Sequence, residues 1–188
     1  LEKTASRTGR RLGVKFTNTL VVKNRGDFIP PTADEAYLSG PPLHVLAIQL
    51  VRRFREHFGD AYPVSFSAGI DRVNAADAVA LGLVPVTVCT DLLKKGGYGR
   101  MPGYYKELVR RMDEVKAATT GDFIIRAYDL GEKALSRTGL TPEEPPWEAA
   151  RDALNSGKAL QPAVGDEVYE RWVSASKILN TEHYAATV

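Results

Sequence analysis

The chain has 188 residues, of which 44% are hydrophobic and 26% are charged, and its 25 basic and 23 acidic side chains leave a formal net charge of +2. This length suits one domain of ordinary size, or a domain with an appendage, and the composition excludes a disordered chain. The balanced charge gives no electrostatic argument for a nucleic-acid partner, and no run approaches the roughly 20 apolar residues of a membrane span.

The first predicted elements are a strand, a long loop and a helix. The apolar run Leu12–Val22 predicts a strand buried on both faces, of the kind found in parallel sheets. The stretch 23–42 is rich in glycine and proline and predicts a loop or lid. Apolar residues at helical spacing predict a helix over Leu43–Phe58, with Gly59 as its C-cap.

Strands and helices continue to alternate after this helix. The sequence predicts a strand over Tyr62–Ser67, a helix over Asn74–Leu81 with Asn74 as N-cap, a strand over Leu83–Cys89 and an amphipathic helix over Met101–Ala118. This order is typical of parallel βαβ units and predicts an α/β fold. Residues 119–188 show helical patterns interrupted by prolines, and we interpret them as a helical linker or appendage.

Small polar residues follow the last two predicted strands, in the turns FSAGID and VCTDLL. Ligands of parallel α/β proteins lie at the carboxyl ends of strands, and such turns can offer backbone amides to a phosphate. Gly69 would allow close approach of the backbone, while Ser67 and Thr90 would add hydroxyl donors. A tight turn without a ligand explains the glycines equally well, because the chain has no G-x-G-x-x-G and no Walker-type lysine.

Lys15 lies within the first predicted strand, where a lysine is costly to desolvate unless it meets an anion or points into a polar cavity. Asn18, between Thr17 and Thr19, offers donors and acceptors that suit a planar heterocycle or a carbonyl substrate. The alternative for Thr17, Asn18 and Thr19 is a strand edge whose hydroxyl groups are satisfied within the protein.

Other reactive residue types suggest structural roles. The single cysteine, Cys89, excludes an internal disulfide and a cysteine-built metal or iron–sulfur site in this chain, and we expect it to be buried. A reducing, cytoplasmic location follows from such cysteine usage. Asp71 and Asp91 each follow a strand and are candidate general acids or helix caps.

The remaining candidates are aromatic. The three histidines have no metal-ligand spacing, so we predict no metal site and expect surface or cap roles for His44, His57 and His183. Three tyrosines near the last predicted strand are expected to pack rather than to stack on a ligand: Tyr98, Tyr104 and Tyr105.

Four stretches in order, LGVKFTNT, YLSG, PVSFSAGIDRVNAADAVALG and VPVTVCTDLLKKGGYGR, resemble the last strands of the FMN-binding (β/α)8 barrel of dihydropyrimidine and dihydroorotate dehydrogenases. Within that superfamily the likeness is strongest to large iron–sulfur flavoproteins of the selenate reductase subunit and glutamate-synthase-like types. The resemblance implies a partial TIM barrel over residues 1–118, which would be the C-terminal part of the barrel, followed by a helical appendage over 119–188.

This resemblance also implies a cofactor, FMN, and residues that would surround it. Lys15 and Asn18 would face the flavin ring, and Gly40 would line the cofactor. Four residues of the last two turns would hold the FMN phosphate through backbone amides: Ala68, Gly69, Cys89 and Thr90. Catalytic residues are unknown, because the base of that family lies upstream of the matching segment.

Two functions from different classes are compatible with these patterns. The first is a fragment of an FMN-dependent, iron–sulfur-linked oxidoreductase of the dihydropyrimidine dehydrogenase type, whose iron–sulfur clusters and FAD or NAD(P)H sites would lie in other parts of the parent. The second is a non-enzymatic half-barrel module that self-associates or docks on the rest of its parent flavoprotein, because a partial barrel leaves open sheet edges. The chain opens on Leu1 rather than Met, and we expect a fragment.

Overall fold

The structure, a computed structural model, describes residues 1–25, 29–30 and 32–188, and helices make up the larger share of its mixed α/β content. The strands are β1 Val14–Lys15, β2 Leu20–Lys23, β3 Glu35–Leu38 and β4 Val64–Ser65. The helices are α1 Glu2–Arg7, α2 Pro41–Phe58, α3 Ala75–Ala80, α4 Met101–Glu114, α5 Thr120–Arg126, α6 Gly131–Leu135, α7 Pro145–Ser156, α8 Gln161–Val164 and α9 Asp166–Ala185, with 3-10 turns at Thr90–Leu93 and Gly97–Arg100.

The prediction of one strand over Leu12–Val22 is wrong, because the run supplies strands to two different sheets. β1 pairs in parallel with β4, whereas β2 pairs with β3 in an antiparallel hairpin. A bend separates β1 from β2, and within it the Thr17 hydroxyl donates to the Thr19 carbonyl at 2.7 Å. The predicted loop or lid over 23–42 is partly strand β3, and its residues 26–28 and 31 lie outside the described residues.

Three parallel segments lie side by side, with β4 in the middle. The segment after β4 is not the full strand predicted over Leu83–Cys89, because it forms a single parallel bridge between Phe66 and Val86. Hydrogen bonds from Val84 N to Val64 O at 2.8 Å and from Thr87 N to Phe66 O at 2.9 Å hold it beside β4. The parallel pairing agrees with the predicted βαβ order.

Helix α2 covers one face of these segments. It begins at Pro41, two residues before the predicted start, because proline lacks the N–H that a first helical turn leaves unpaired anyway. Its predicted apolar positions include Leu43, Ala47 and Val51, and all three are buried in the core that also holds Val64.

The segment 119–188 is helical, as predicted, and the structure joins it to the α/β part. Tyr184 and Ala185 of α9 belong to the same core cluster as the buried residues of α2 and β4. A second cluster surrounds the fully buried Trp172 within the helical segment. The boundary at residue 118 between two domains stays a prediction. Over the part of the chain that the structure describes, we find no helix with the length and apolar character to cross a membrane.

Candidate functional site

Two turns meet at the start of α2. One follows β4, and the other follows residues 84–87, the segment that lies beside β4. Gly69 has φ +60°, and a Cβ built there would lie 2.5 Å from the Gly40 carbonyl oxygen and 3.0 Å from Pro41 Cα. A Cβ built on Gly40 would lie 3.6 Å from the Thr90 methyl group. The structure therefore brings together three residues that the sequence singled out separately, Gly40, Gly69 and Thr90. Glycine is needed at 69 because the Gly40 backbone occupies the space of a side chain.

The side chains of His44 and Asn74 bind the carbonyl groups of the Ala68–Gly69 turn. His44 Nδ1 lies 2.8 Å from Ala68 O, and Asn74 Nδ2 donates to Gly69 O at 2.9 Å. The surface or cap role expected for His44 is wrong, because the side chain is buried beneath this turn. Asn74 precedes α3 as predicted, but its side chain makes no cap bond to that helix and holds the turn instead.

The amides of the same two turns are free. Within the described residues, the backbone N–H groups of Ala68, Gly69, Cys89 and Thr90 donate to no protein acceptor. A cluster of free backbone N–H groups on neighbouring turns is a favourable environment for an anion, because each donor carries a partial positive charge. The two turns therefore offer unpaired backbone donors of the kind that anion sites use.

Lys15 lies on the face of the three segments that points away from α2. Lys15 pairs with Ser65 and Val14 pairs with Val64, which is fully buried in the core. Alternate residues of a strand point to opposite faces, so Lys15 and Ser65 share the outer face. Lys15 was expected in a buried strand, and this expectation is wrong because the outer face is exposed. Ser65 lies about 10 Å along the strand from the Ala68–Gly69 turn.

Two predicted site residues have exposed side chains. Asn18 is exposed in the bend between β1 and β2, beyond the end of the strand that carries Lys15. Cys89 was expected to be buried, and this expectation is wrong because the thiol is exposed. Its position falls after the bridged segment, at the N-cap of the 3-10 turn Thr90–Leu93, where the sheet no longer covers it.

The sequence missed an ionic cluster around the buried carboxylate of Asp91, beside the second turn. Asp91 accepts two bonds from the guanidinium of Arg100, at 3.0 and 2.8 Å, and one from the Tyr104 hydroxyl at 2.6 Å. Lys94 Nζ lies 3.1 Å from the same carboxylate. The hydrogen bonds from Arg100 and then Tyr104 hold the pKa of Asp91 well below its usual range. Asp91 is therefore an ionised anchor for the loop and not a general acid.

The tyrosines around this cluster have different environments. Tyr104 is buried, as expected, and burial followed by the bond to Asp91 raises the pKa of its hydroxyl. Tyr98 and Tyr105 are exposed, so the packing role expected for them is wrong. Among residues 1–25, 29–30 and 32–188, no group of three or more His, Cys, Asp or Glu side chains is placed to hold a metal ion.

Comparison with known proteins identifies related sequences. The family model described as oxidoreductase YgfK, N-terminal TIM-barrel domain, matches residues 1–136. The YgfK protein of Escherichia coli K12 is 38% identical over 96 residues, which are 51% of this chain and 9% of that protein.

More distant relatives are dihydroorotate dehydrogenases of the quinone type. The enzyme of Bordetella pertussis is 29% identical over 101 residues, which are 53% of this chain and 28% of the enzyme. The enzyme of Bordetella avium is 31% identical over 85 residues, which are 45% of this chain and 24% of the enzyme. The match thus spans less than a third of the length of each curated relative. No solved structure matches the chain significantly.

Proposed function

Because the chain belongs to the family of oxidoreductase YgfK N-terminal TIM-barrel domains, we propose that it is an FMN-binding part of an oxidoreductase. The two turns that meet at Gly40 would hold the phosphate of FMN. One observation carries this proposal: in the described part of the chain the backbone amides of Ala68, Gly69, Cys89 and Thr90 donate to no protein acceptor. The resemblance of the sequence to FMN barrels implies that these turns hold the phosphate. The match to dihydroorotate dehydrogenases supports the same assignment.

The residues present fit a phosphate monoester. Such a group carries a charge of about −1.5 to −2 near pH 7 and has three strong acceptor oxygens. The amides of Ala68, Gly69, Cys89 and Thr90 would supply donors, and the Thr90 hydroxyl would add one more. Ala68 stands where the resembled family usually has a glycine, but its amide is retained.

Lys15 would act at the other end of the cofactor. When bound, FMN supplies the capacity for hydride or electron transfer. The Lys15 ammonium group is exposed on the outer face of β1, where it would stabilise negative charge on the flavin ring. Asn18 is proposed for the same ring on the resemblance alone, because it lies beyond the end of that strand.

Other parts of the activity are assigned to the rest of the parent protein. Iron–sulfur clusters need several cysteine thiolates, and this chain has one cysteine. We therefore place iron–sulfur clusters, FAD or NAD(P)H sites and the catalytic base outside this chain, and treat it as the C-terminal part of the barrel. A solitary exposed thiol suits a reducing, cytoplasmic compartment.

The proposal is tested by titrating the purified chain with FMN and with riboflavin, which carries the same ring without the phosphate. We expect FMN to bind more tightly than riboflavin and to stay with the protein through gel filtration, visible by its flavin absorbance. A colourless chain that fails to bind added FMN would overturn the proposal. Equal affinities for FMN and riboflavin would contradict the phosphate site while leaving a flavin-ring site.

A second candidate function is a module that docks on its parent protein or on another copy. Among the described residues, β1 and the 84–87 segment pair only with β4, so each has an open edge. Phe16, Leu20, Val21, Tyr37 and Val84 are exposed apolar side chains of this region. Open edges and exposed apolar groups favour association. Light scattering coupled to gel filtration tests it, and a monomer at high concentration would contradict self-association.

A further inference from the structure

Two buried hydrogen bonds connect the last helix to the Ala68–Gly69 turn. The Nδ1 atom of His44 lies 2.8 Å from Ala68 O, and its Nε2 atom lies 3.0 Å from the Tyr184 hydroxyl. His44 is 6% exposed, Tyr184 is 9% exposed and Ala68 is 1% exposed. The contact links residues that are 140 positions apart in the chain.

The carbonyl group decides the tautomer of His44. A carbonyl oxygen only accepts, so Nδ1 must carry the hydrogen and donate to Ala68 O. In the neutral imidazole, Nε2 is then an acceptor, and the Tyr184 hydroxyl donates to it. Edge-to-face contacts with Phe66, at 5.5 Å between ring centroids, and with Tyr184, at 5.9 Å, fix the plane of the ring. The direction of the Nδ1–H group is therefore set by three neighbours.

This bond controls the direction of the amide on which the proposed phosphate site depends. Ala68 C=O and Gly69 N–H belong to one planar trans peptide, in which the two groups point in opposite directions. His44 holds the oxygen on the core side, so the Gly69 N–H is directed away from the core. In the described part of the chain that N–H has no protein acceptor. The bond from His44 to Ala68 O therefore contributes to the orientation of this N–H, which has no bond of its own to hold it.

Helix α9 is held where it can support His44. Gln49 Nε2 donates to Ala185 O at 2.6 Å, which ties the end of α9 to α2 beside Tyr184. Further along, Asn180 Nδ2 donates to Ala80 O at 2.9 Å and so joins α9 to α3. The Tyr184 hydroxyl therefore reaches His44 from a helix that other hydrogen bonds hold in place.

We propose that His44 and Tyr184 are positioning residues for anion binding at the Ala68–Gly69 turn, so that docking of α9 raises the affinity of this turn for a phosphate. The inference rests on the proposed function, because FMN supplies the phosphate. It assigns to the helical segment a part in cofactor binding, because His44 connects Tyr184 of α9 to the turn by two hydrogen bonds.

The two ring nitrogens can be tested separately. In His44→Asn the amide nitrogen can take the place of Nδ1, so this variant keeps the bond to Ala68 O. In His44→Gln the amide can take the place of Nε2, so this variant keeps only the bond to Tyr184. Tyr184→Phe removes the hydroxyl and keeps the ring. His57→Gln, an exposed histidine on the same helix, and Tyr105→Phe, an exposed tyrosine, are the matched controls.

We expect His44→Gln to weaken FMN binding by about tenfold, the effect of one hydrogen bond, with riboflavin affinity unchanged. Tyr184→Phe and His44→Asn should weaken FMN binding less, by a few-fold, because the Ala68 bond survives. The controls should match the unchanged chain. An equal loss of affinity for FMN and for riboflavin would mean general damage to the fold and would contradict the positioning role. Variants that bind FMN as tightly as the unchanged chain would contradict it too.

A second measurement does not need FMN. In ¹⁵N-labelled protein without ligand, His44→Gln and Tyr184→Phe should shift the Gly69 amide resonance, and the two controls should not. If the unchanged chain fails to bind FMN, the proposed function fails while this measurement still decides whether Tyr184 and His44 set the Gly69 amide. An unshifted Gly69 resonance in both variants would overturn the inference.

Discussion

Gly69 and Gly40 approach so closely that no side chain fits between them. A Cβ on Gly69 would lie 2.5 Å from the Gly40 carbonyl oxygen, and Gly69 has φ +60°, a conformation that side chains disfavour. The contact joins the turn after β4 to the start of α2.

Gly69→Ala should destabilise the protein by about 2–4 kcal/mol, because backbone strain adds to a clash with the Gly40 carbonyl. Gly9→Ala is the matched control, since Gly9 has φ +65° but nothing within 4 Å of its added Cβ. It should cost about 1–2 kcal/mol from the backbone alone. Urea denaturation of both variants measures the difference, and equal losses would contradict a tight contact at Gly69.

Asp91→Asn should destabilise the protein by about 1–3 kcal/mol, because Arg100 and Tyr104 lose a charged acceptor that is 3% exposed. Asp113→Asn, at an exposed position of α4, is the control and should change stability by no more than about 0.5 kcal/mol. The free energies of unfolding in urea test this expectation. Similar values for the two variants would show that the Asp91 cluster adds nothing to stability.

Stability should also depend on pH through Asp91. Its pKa is lowered in the folded protein by the Arg100 and Tyr104 bonds, so the folded state favours the ionised carboxylate. The resulting stabilisation is fully present above the unfolded pKa of about 3.9 and is lost as pH falls through the lower folded pKa. Urea denaturation at several values of pH below 5 should show a flatter dependence for Asp91→Asn. Parallel curves for the variant and the unchanged chain would refute this linkage.

Lys15→Met should weaken FMN binding without affecting the fold. The ammonium group is exposed on the outer face of β1, so its loss should change the free energy of unfolding by no more than about 0.5 kcal/mol. FMN titration measures the affinity, with Lys3→Met at another exposed lysine as the control. Unchanged affinity and unchanged flavin reduction would remove Lys15 from the proposed site.

Arg55→Met should loosen the docking of α9. Arg55 is buried, donates to Leu81 O at 2.7 Å and to Lys177 O of α9 at 3.0 Å, and its pKa is lowered to about 10 by burial. Loss of these bonds should destabilise the chain by about 3 kcal/mol. Arg52→Met, which breaks only an exposed pair with Glu56, should cost about 0.5 kcal/mol. Thermal unfolding followed by circular dichroism measures both, and an equal effect would argue against Arg55 as an anchor.

Helical elements and the parallel order were predictable because they depend on local spacing. The apolar periodicity of α2 and its C-cap, Gly59, are readable within one stretch of chain. The strands were less predictable, since an apolar run does not say which neighbour it pairs with. Leu12–Val22 accordingly divides between a parallel and an antiparallel partner.

The candidate site was likewise only partly predictable from the sequence. Turn residues such as Gly69 and Thr90 were recognisable from their position after strands, but nothing in their spacing indicates that both turns meet at Gly40. The environments of His44 and Asp91 were missed for a related reason. Their partners lie on other elements, and burial is a property of the assembled chain.

The sequence by itself determined the order of strands and helices, the helical character of residues 119–188 and the positions of the glycine-bearing turns, because these follow from local periodicity and from glycine and proline chemistry. Only the tertiary structure decided that Gly69 packs on Gly40, that Cys89 and Lys15 are exposed, and that Tyr184 reaches His44 from the last helix. The two contacts join residues tens of positions apart, and only packing of the whole chain brings such residues together. Exposure of a side chain likewise depends on which elements pack around it.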